Sequence, residues 1–199
     1  EELRGKPASE EALRELWADE RKEGGRHRVV LSEPRLMGGD AELFRKGRFL
    51  SAAALRPAWL QQSMGPGVQL EFFICLRNPA ALIDAALRNA GGRDAAALLD
   101  GADPFSVRWS DVILRLRQAC PDVPVTVWMK EEQPYVWPQL MHAASGLYHP
   151  VLTDGVADDV AGFLRPEVAA HLEAYLKKYD NYDADFLARA FEHFIRKYA

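Results

Sequence analysis

At 199 residues with a formal net charge of −4, the chain can bury one sizeable core and lacks the basic surface that broad nucleic-acid binding requires. Hydrophobic residues make up 48% and charged residues 27%, the proportions of a globular protein. No run approaches the roughly 18 apolar residues of a membrane span, and the opening Glu1-Glu2-Leu3-Arg4 is no signal peptide, so a cytoplasmic location is expected. The cysteines, Cys75 and Cys120, form no short metal or redox motif and read as buried thiols of a reducing compartment.

In chain order, Ser9 followed by Glu10 and Glu11 marks a helix start, with Leu13, Leu16 and Trp17 at helical spacing and Gly24-Gly25 ending it. Arg28–Ser32 reads as a short strand ending in Ser32-Glu33-Pro34. Leu36–Leu50 reads as an irregular excursion containing Gly38-Gly39 and Gly47. The basic residues Arg26, Arg28, Arg35, Arg45, Lys46 and Arg48 mark either a solvated surface or a site for an anionic ligand. A helix is predicted over about Pro57–Ser63. Gln69–Leu76 is a continuous apolar run with no turn residue, which suits a strand buried on both faces. It ends in Arg77-Asn78-Pro79 and passes into a helix, with the proline at the first helical position, where its missing N–H costs nothing.

Further on, Asp103-Pro104 reads as an N-cap and first-turn pair, with Val107, Ile113, Leu114 and Leu116 as the apolar side of a helix that Pro121 closes. Pro124–Met129 is the next strand, ending in Lys130-Glu131-Glu132. Tyr135–Ala144 is expected to be helical despite Pro138. Helices over Pro166–Tyr179 and Asp183–Tyr198 follow. The last carries a wide apolar stripe of Phe186, Leu187, Ala190, Phe191, Phe194, Ile195 and Tyr198, which reads as core packing.

Strands alternating with long crossovers predict an α/β fold, a parallel sheet covered by helices, in a single domain over residues 1–199 with its core at 26–145 and a helical part at 146–199. Three strands are few for so many helices, so a first strand is expected before Glu1. In a parallel sheet the polar clusters Ser32-Glu33, Arg77-Asn78 and Lys130-Glu131-Glu132 would converge on one edge, where such sheets bind anions and nucleotides beside helix N-termini. Glu33 suits a general base if partial burial raises its pKa; it reads equally as a loop cap or a partner of a local arginine. Arg77 reads as an anion ligand or as a structural pair with Glu131 or Glu132. Asn78 reads as a turn residue bonding local backbone, and Lys130 as an exposed end-of-strand charge. The sequence lacks a G-x-x-x-x-G-K-[ST] loop, a G-x-G-x-x-G turn and a G-x-S-x-G elbow. Its five histidines show no H-E-x-x-H spacing, so no metal site is expected.

The passage from strand through Arg77-Asn78-Pro79 to helix resembles the 3′-phosphate-binding segment of sulfotransferases that use 3′-phosphoadenosine 5′-phosphosulfate. More narrowly, Val29–Glu33, Leu76–Ala81, Asp103–Asp111 and Val127–Pro138 resemble a bacterial sulfotransferase-like group of P-loop proteins in order and spacing. The likeness covers roughly residues 26–141. It implies a three-layer parallel sheet flanked by helices and transfer of a sulfuryl group from 3′-phosphoadenosine 5′-phosphosulfate to a hydroxyl or amine. It places Arg77 at the nucleotide 3′-phosphate, with Asn78 and Lys130 in the co-substrate site, and Glu33 where related enzymes activate the acceptor. The family's phosphate loop is expected upstream of Glu1, and Ala85 stands where the family pattern has serine. The other readings are a degenerate member that binds a nucleotide or protein partner without catalysis, and a magnesium-dependent kinase relative. The acceptor and the oligomeric state carry no signature in the sequence.

Overall fold

A computed structural model of the protein describes residues 28–64, 67–89, 94–146, 157–178 and 183–198. The helix expected after Ser9 lies outside them. The described residues form a mixed α/β structure with two small sheets, one antiparallel and one parallel. Its contacts divide the chain into two compact units, one ending at Val127 and one beginning at Trp128.

The first unit contains β1 (Phe44–Arg45), β2 (Arg48–Phe49), α1 (Leu55–Ser63), β3 (Phe72–Leu76), α2 (Pro79–Asn89), α3 (Ala95–Leu99) and α4 (Trp109–Ala119). β4 (Val125–Met129) begins in this unit and pairs with β3, where the Phe72 N–H donates to the Pro124 carbonyl at 2.9 Å. The strand expected over Arg28–Ser32 does not form: these residues are irregular chain without a ladder partner, tied to the start of β3 by an ion pair between Arg28 and Glu71. The parallel sheet therefore has two strands among the described residues. β3 buries Phe72 and Ile74 and leaves Phe73 and Cys75 half-buried, so one face of the strand carries the core rather than two.

The excursion over Leu36–Leu50 is in part a hairpin. Phe44 pairs with Phe49 and Arg45 with Arg48 across a two-residue turn. Lys46 and Gly47 have φ of 51° and 71°, the pair of left-handed residues that matches the twist of a tight hairpin. The turn is held from outside: Asp100, closing α3, accepts the Lys46 N–H on its carboxylate and the Gly47 N–H on its carbonyl. A Cβ at Gly47 would meet the Gly101 carbonyl oxygen at an ordinary 3.5 Å, so it is the left-handed φ of 71° that favours glycine there.

Asp103 does cap, but what it caps is a single 3-10 turn over Pro104–Ser106, and α4 starts five residues beyond Pro104 at Trp109. Val107 and Arg108 between them are extended, and Leu114 is 57% exposed rather than part of the apolar side. The buried face of α4 is Val112, Leu116 and, just past its end, Cys120. Val112 joins a core cluster with the hairpin residues Phe44, Phe49 and Leu50 and with Ala86 of α2. Leu116 and Cys120 join a second with Phe72, Ile74 and Val123. One helix thus serves both cores of this unit.

The second unit holds α5 (Gln133–Ser145), α6 (Asp158–Ala161), α7 (Pro166–Leu176) and α8 (Ala184–Tyr198). Pro138 lies inside α5, where its missing N–H leaves the Pro134 carbonyl without its helical partner, and the helix continues through it to Ser145. Gly146, at φ 66°, ends the helix. Val168, Leu172 and Leu176 of α7 pack with Leu187 and Phe191 of α8, and Trp137, Phe186, Phe194, Ile195 and Tyr198 close over them, so the aromatic stripe is core.

Leu116 is fully buried at the meeting of α4 with β3, so Leu116→Ala should destabilise the protein by about 2–5 kcal/mol in urea unfolding. Burial pushes the Cys120 thiol pKa up and removes it from solvent. Under native conditions a maleimide should therefore label Cys120 only as fast as the protein opens, and promptly in denaturant; prompt native labelling at Cys120 would contradict this packing.

Candidate functional site

The site grows from the end of β3. Leu76 is its last residue, Arg77 and Asn78 form the connection, and Pro79 opens α2 as the sequence predicts. Asn78 accepts the Ala80 N–H on its side-chain oxygen at 2.9 Å, and its carbonyl accepts the Leu82 N–H at 2.9 Å. This is the local backbone bonding expected of it, and it fixes the helix start, where the dipole favours negative charge. Leu82, Ile83, Ala86 and Leu87 then lay one face of α2 against the hairpin cluster.

The Arg77 backbone is pinned from the far side. The Trp109 indole N–H donates to the Arg77 carbonyl at 2.6 Å, and its ring meets Phe49 edge-on with centroids 5.2 Å apart. Arg77 is half-buried, and its guanidinium makes no hydrogen bond or ion pair with a described residue. A cation whose main chain is held beside a helix N-terminus, and whose own donors have no partner among the described residues, fits an oxyanion. Ala85 sits half-buried on α2 and brings no hydroxyl.

Glu33 is placed differently from its sequence expectation. It is exposed, follows irregular chain rather than a buried strand, and accepts the Arg35 N–H on its own carboxylate at 2.8 Å. Its carbonyl accepts the Leu36 N–H at 3.1 Å, completing a local turn. Leu36 and Met37, just beyond, pack against the cluster built on Phe72 and Ile74. Glu33 thus belongs to a segment anchored on the β3 core, but no hydrogen bond or ion pair joins it to Arg77. Lys130, in the second unit, is exposed and opens a 3-10 turn with Glu131 and Glu132. The structure therefore brings Arg77 and Asn78 together at one helix start. Among the described residues, no group of three or more His, Cys, Asp or Glu side chains is arranged to hold a metal. No described helix is long and apolar enough to cross a membrane.

Sequence reasoning missed Trp109 as the residue that positions Arg77. It also missed Arg115 of α4, whose guanidinium donates to the Phe49 carbonyl at 2.6 Å and the Leu50 carbonyl at 3.2 Å. Neither has a local pattern to announce it, because both partners lie more than 30 residues away in sequence. Comparison with models of protein families, with curated proteins and with solved structures finds no match to this chain.

Removing the cap frees the first turn of α2, so Asn78→Ala should cost about 1 kcal/mol in urea unfolding while Asn78→Ser retains most of it. Equal loss in both variants would mean that the side-chain bond to Ala80 is not what holds the helix start.

Proposed function

We propose that this is a sulfotransferase-like protein that binds 3′-phosphoadenosine 5′-phosphosulfate and transfers its sulfuryl group to a hydroxyl or amine. On this reading the two described parallel strands belong to the three-layer sheet of that family, and the protein acts in the cytoplasm. Arg77 takes the nucleotide 3′-phosphate through a bidentate guanidinium, with Asn78 shaping the adjoining helix start. Glu33 accepts the acceptor proton as the acceptor oxygen or nitrogen attacks sulfur. The bond from sulfur to the bridging oxygen breaks, and adenosine 3′,5′-bisphosphate leaves with that electron pair. The observation that carries the reading is the Arg77 guanidinium, which has no partner among the described residues and whose backbone is anchored by Trp109 at the start of α2.

One specific observation favours a second reading, a family member that binds the nucleotide without catalysis. Glu33 is exposed and occupied by its own turn, whereas a general base at neutral pH gains from burial that raises its pKa.

Adenosine 3′,5′-bisphosphate should raise the melting temperature of the protein, and Arg77→Ala should weaken its binding by about tenfold or more. Equal protection by AMP would remove the 3′-phosphate assignment. With the donor and an amine or phenol acceptor, Glu33→Gln should lower turnover and leave donor affinity unchanged; unchanged turnover would retire Glu33 as a base, and donor binding without any turnover would establish the second reading.

A further inference from the structure

A second group of cations, separate from Arg77, lines a cleft of about 390 Å³ between the β1–β2 hairpin and the start of α4. Arg48 comes from β2, Arg108 from the residue just before α4, and Arg115 from one and a half turns inside the helix. The backbones that carry them are fixed. The hairpin turn is held by Asp100, and α4 begins at Trp109, whose indole is bound to the Arg77 carbonyl. Arg115 spends its donors on the carbonyls of Phe49, Leu50 and Asp111, so it is a wall charge rather than a free ligand. Arg48 and Arg108 are exposed and form no ion pair or hydrogen bond with a described residue.

The cleft also contains Asp103 and Asp111, which could have neutralised these arginines. Asp103 instead turns its carboxylate onto the Phe105 N–H at 3.0 Å. The pKa of Arg115 lies below its usual value, chiefly through burial and next through the charge of Arg48, with the Asp111 carboxylate acting in the opposite sense. Arg48 and Arg108 rise from a locked hairpin and a locked helix start, which fixes where their side chains begin. The floor is apolar, with Phe44, Phe49 and Val107, and Leu114 stands exposed at the side. Cationic walls over an apolar floor, in a volume at the small end for ligand pockets, match a compact molecule with a dianionic head and a carbon body. The net charge of −4 disfavours a long polyanion.

We infer that this cleft binds a small organic phosphate, its phosphoryl oxygens on Arg48 and Arg108 and its carbon portion against Val107 and Leu114. The site is independent of the nucleotide position at Arg77 and stands whether or not that assignment holds.

The test is calorimetric titration of the full chain with phenyl phosphate at low ionic strength, where exposed charges are least screened. Phenyl phosphate should bind, inorganic phosphate more weakly, and phenol not measurably. The double variant R48Q/R108Q should weaken phenyl phosphate by about tenfold or more with an unchanged urea midpoint, since both residues are exposed. R77A should leave this affinity unchanged, and R48Q/R108Q should leave adenosine 3′,5′-bisphosphate binding unchanged. No binding at millimolar phenyl phosphate, unaltered affinity in R48Q/R108Q, equal affinity for phenol, or loss in R77A would each overturn the inference. Failure of adenosine 3′,5′-bisphosphate to bind would bear on Arg77 alone.

Discussion

The hydrogen bond from the Trp109 indole to the Arg77 carbonyl is the constraint on which the first unit turns. It joins the end of β3 to the start of α4, two points 32 residues apart in sequence. The same ring packs edge-on against Phe49, which brings in the hairpin. A single aromatic side chain thereby fixes three elements through one polar and one apolar contact, the combination a partly buried tryptophan supplies. Arg77 inherits its position from this arrangement: its main chain is used for anchoring, and its side chain has no partner among the described residues.

Two further locks extend the frame. Asp100 satisfies both amides of the hairpin turn, one with its carboxylate and one with its carbonyl, so the left-handed turn is bound to the end of α3. Arg115 takes the carbonyls of Phe49 and Leu50. Leu50 is buried at φ 43°, a conformation a leucine avoids, and it is retained because its carbonyl, its N–H to Leu43 and its side chain are all engaged. The hairpin is too short to stand alone, with two residues in each strand, and it persists because α3 and α4 hold it from both sides.

The described charged groups contribute less to stability than the apolar clusters. The ion pairs Arg28–Glu71, Arg56–Glu42 and Arg88–Asp84 are solvent-exposed and worth at most about 1 kcal/mol each. The hydrogen bond from Arg56 holds the Glu42 carboxyl below its usual range, so that pair contributes fully above the ordinary carboxylate range and fades as pH falls through the lowered value. No polar or charged residue among the described ones is fully buried. Among the described residues, charge therefore lies at surfaces and clefts.

What the sequence determined by itself was local. The apolar run into Arg77-Asn78-Pro79 set a strand, a cap and a helix start. The proline opening located α7, a helix was expected over Tyr135–Ala144 despite Pro138, and the apolar stripe on α8 marked its buried face, because these signals act within a few residues. Tertiary structure decided the rest. Arg28–Ser32 has strand composition, but a strand exists only where a partner supplies its hydrogen bonds, and Glu33 lost its strand-end position with it. Lys46-Gly47 between mirrored Phe-Arg and Arg-Phe pairs was a hairpin signal that the surrounding glycines obscured. The anchoring of Arg77 by Trp109 and the convergence of Arg48, Arg108 and Arg115 on one cleft depend on contacts between distant segments, and no window of sequence contains the distance that makes them.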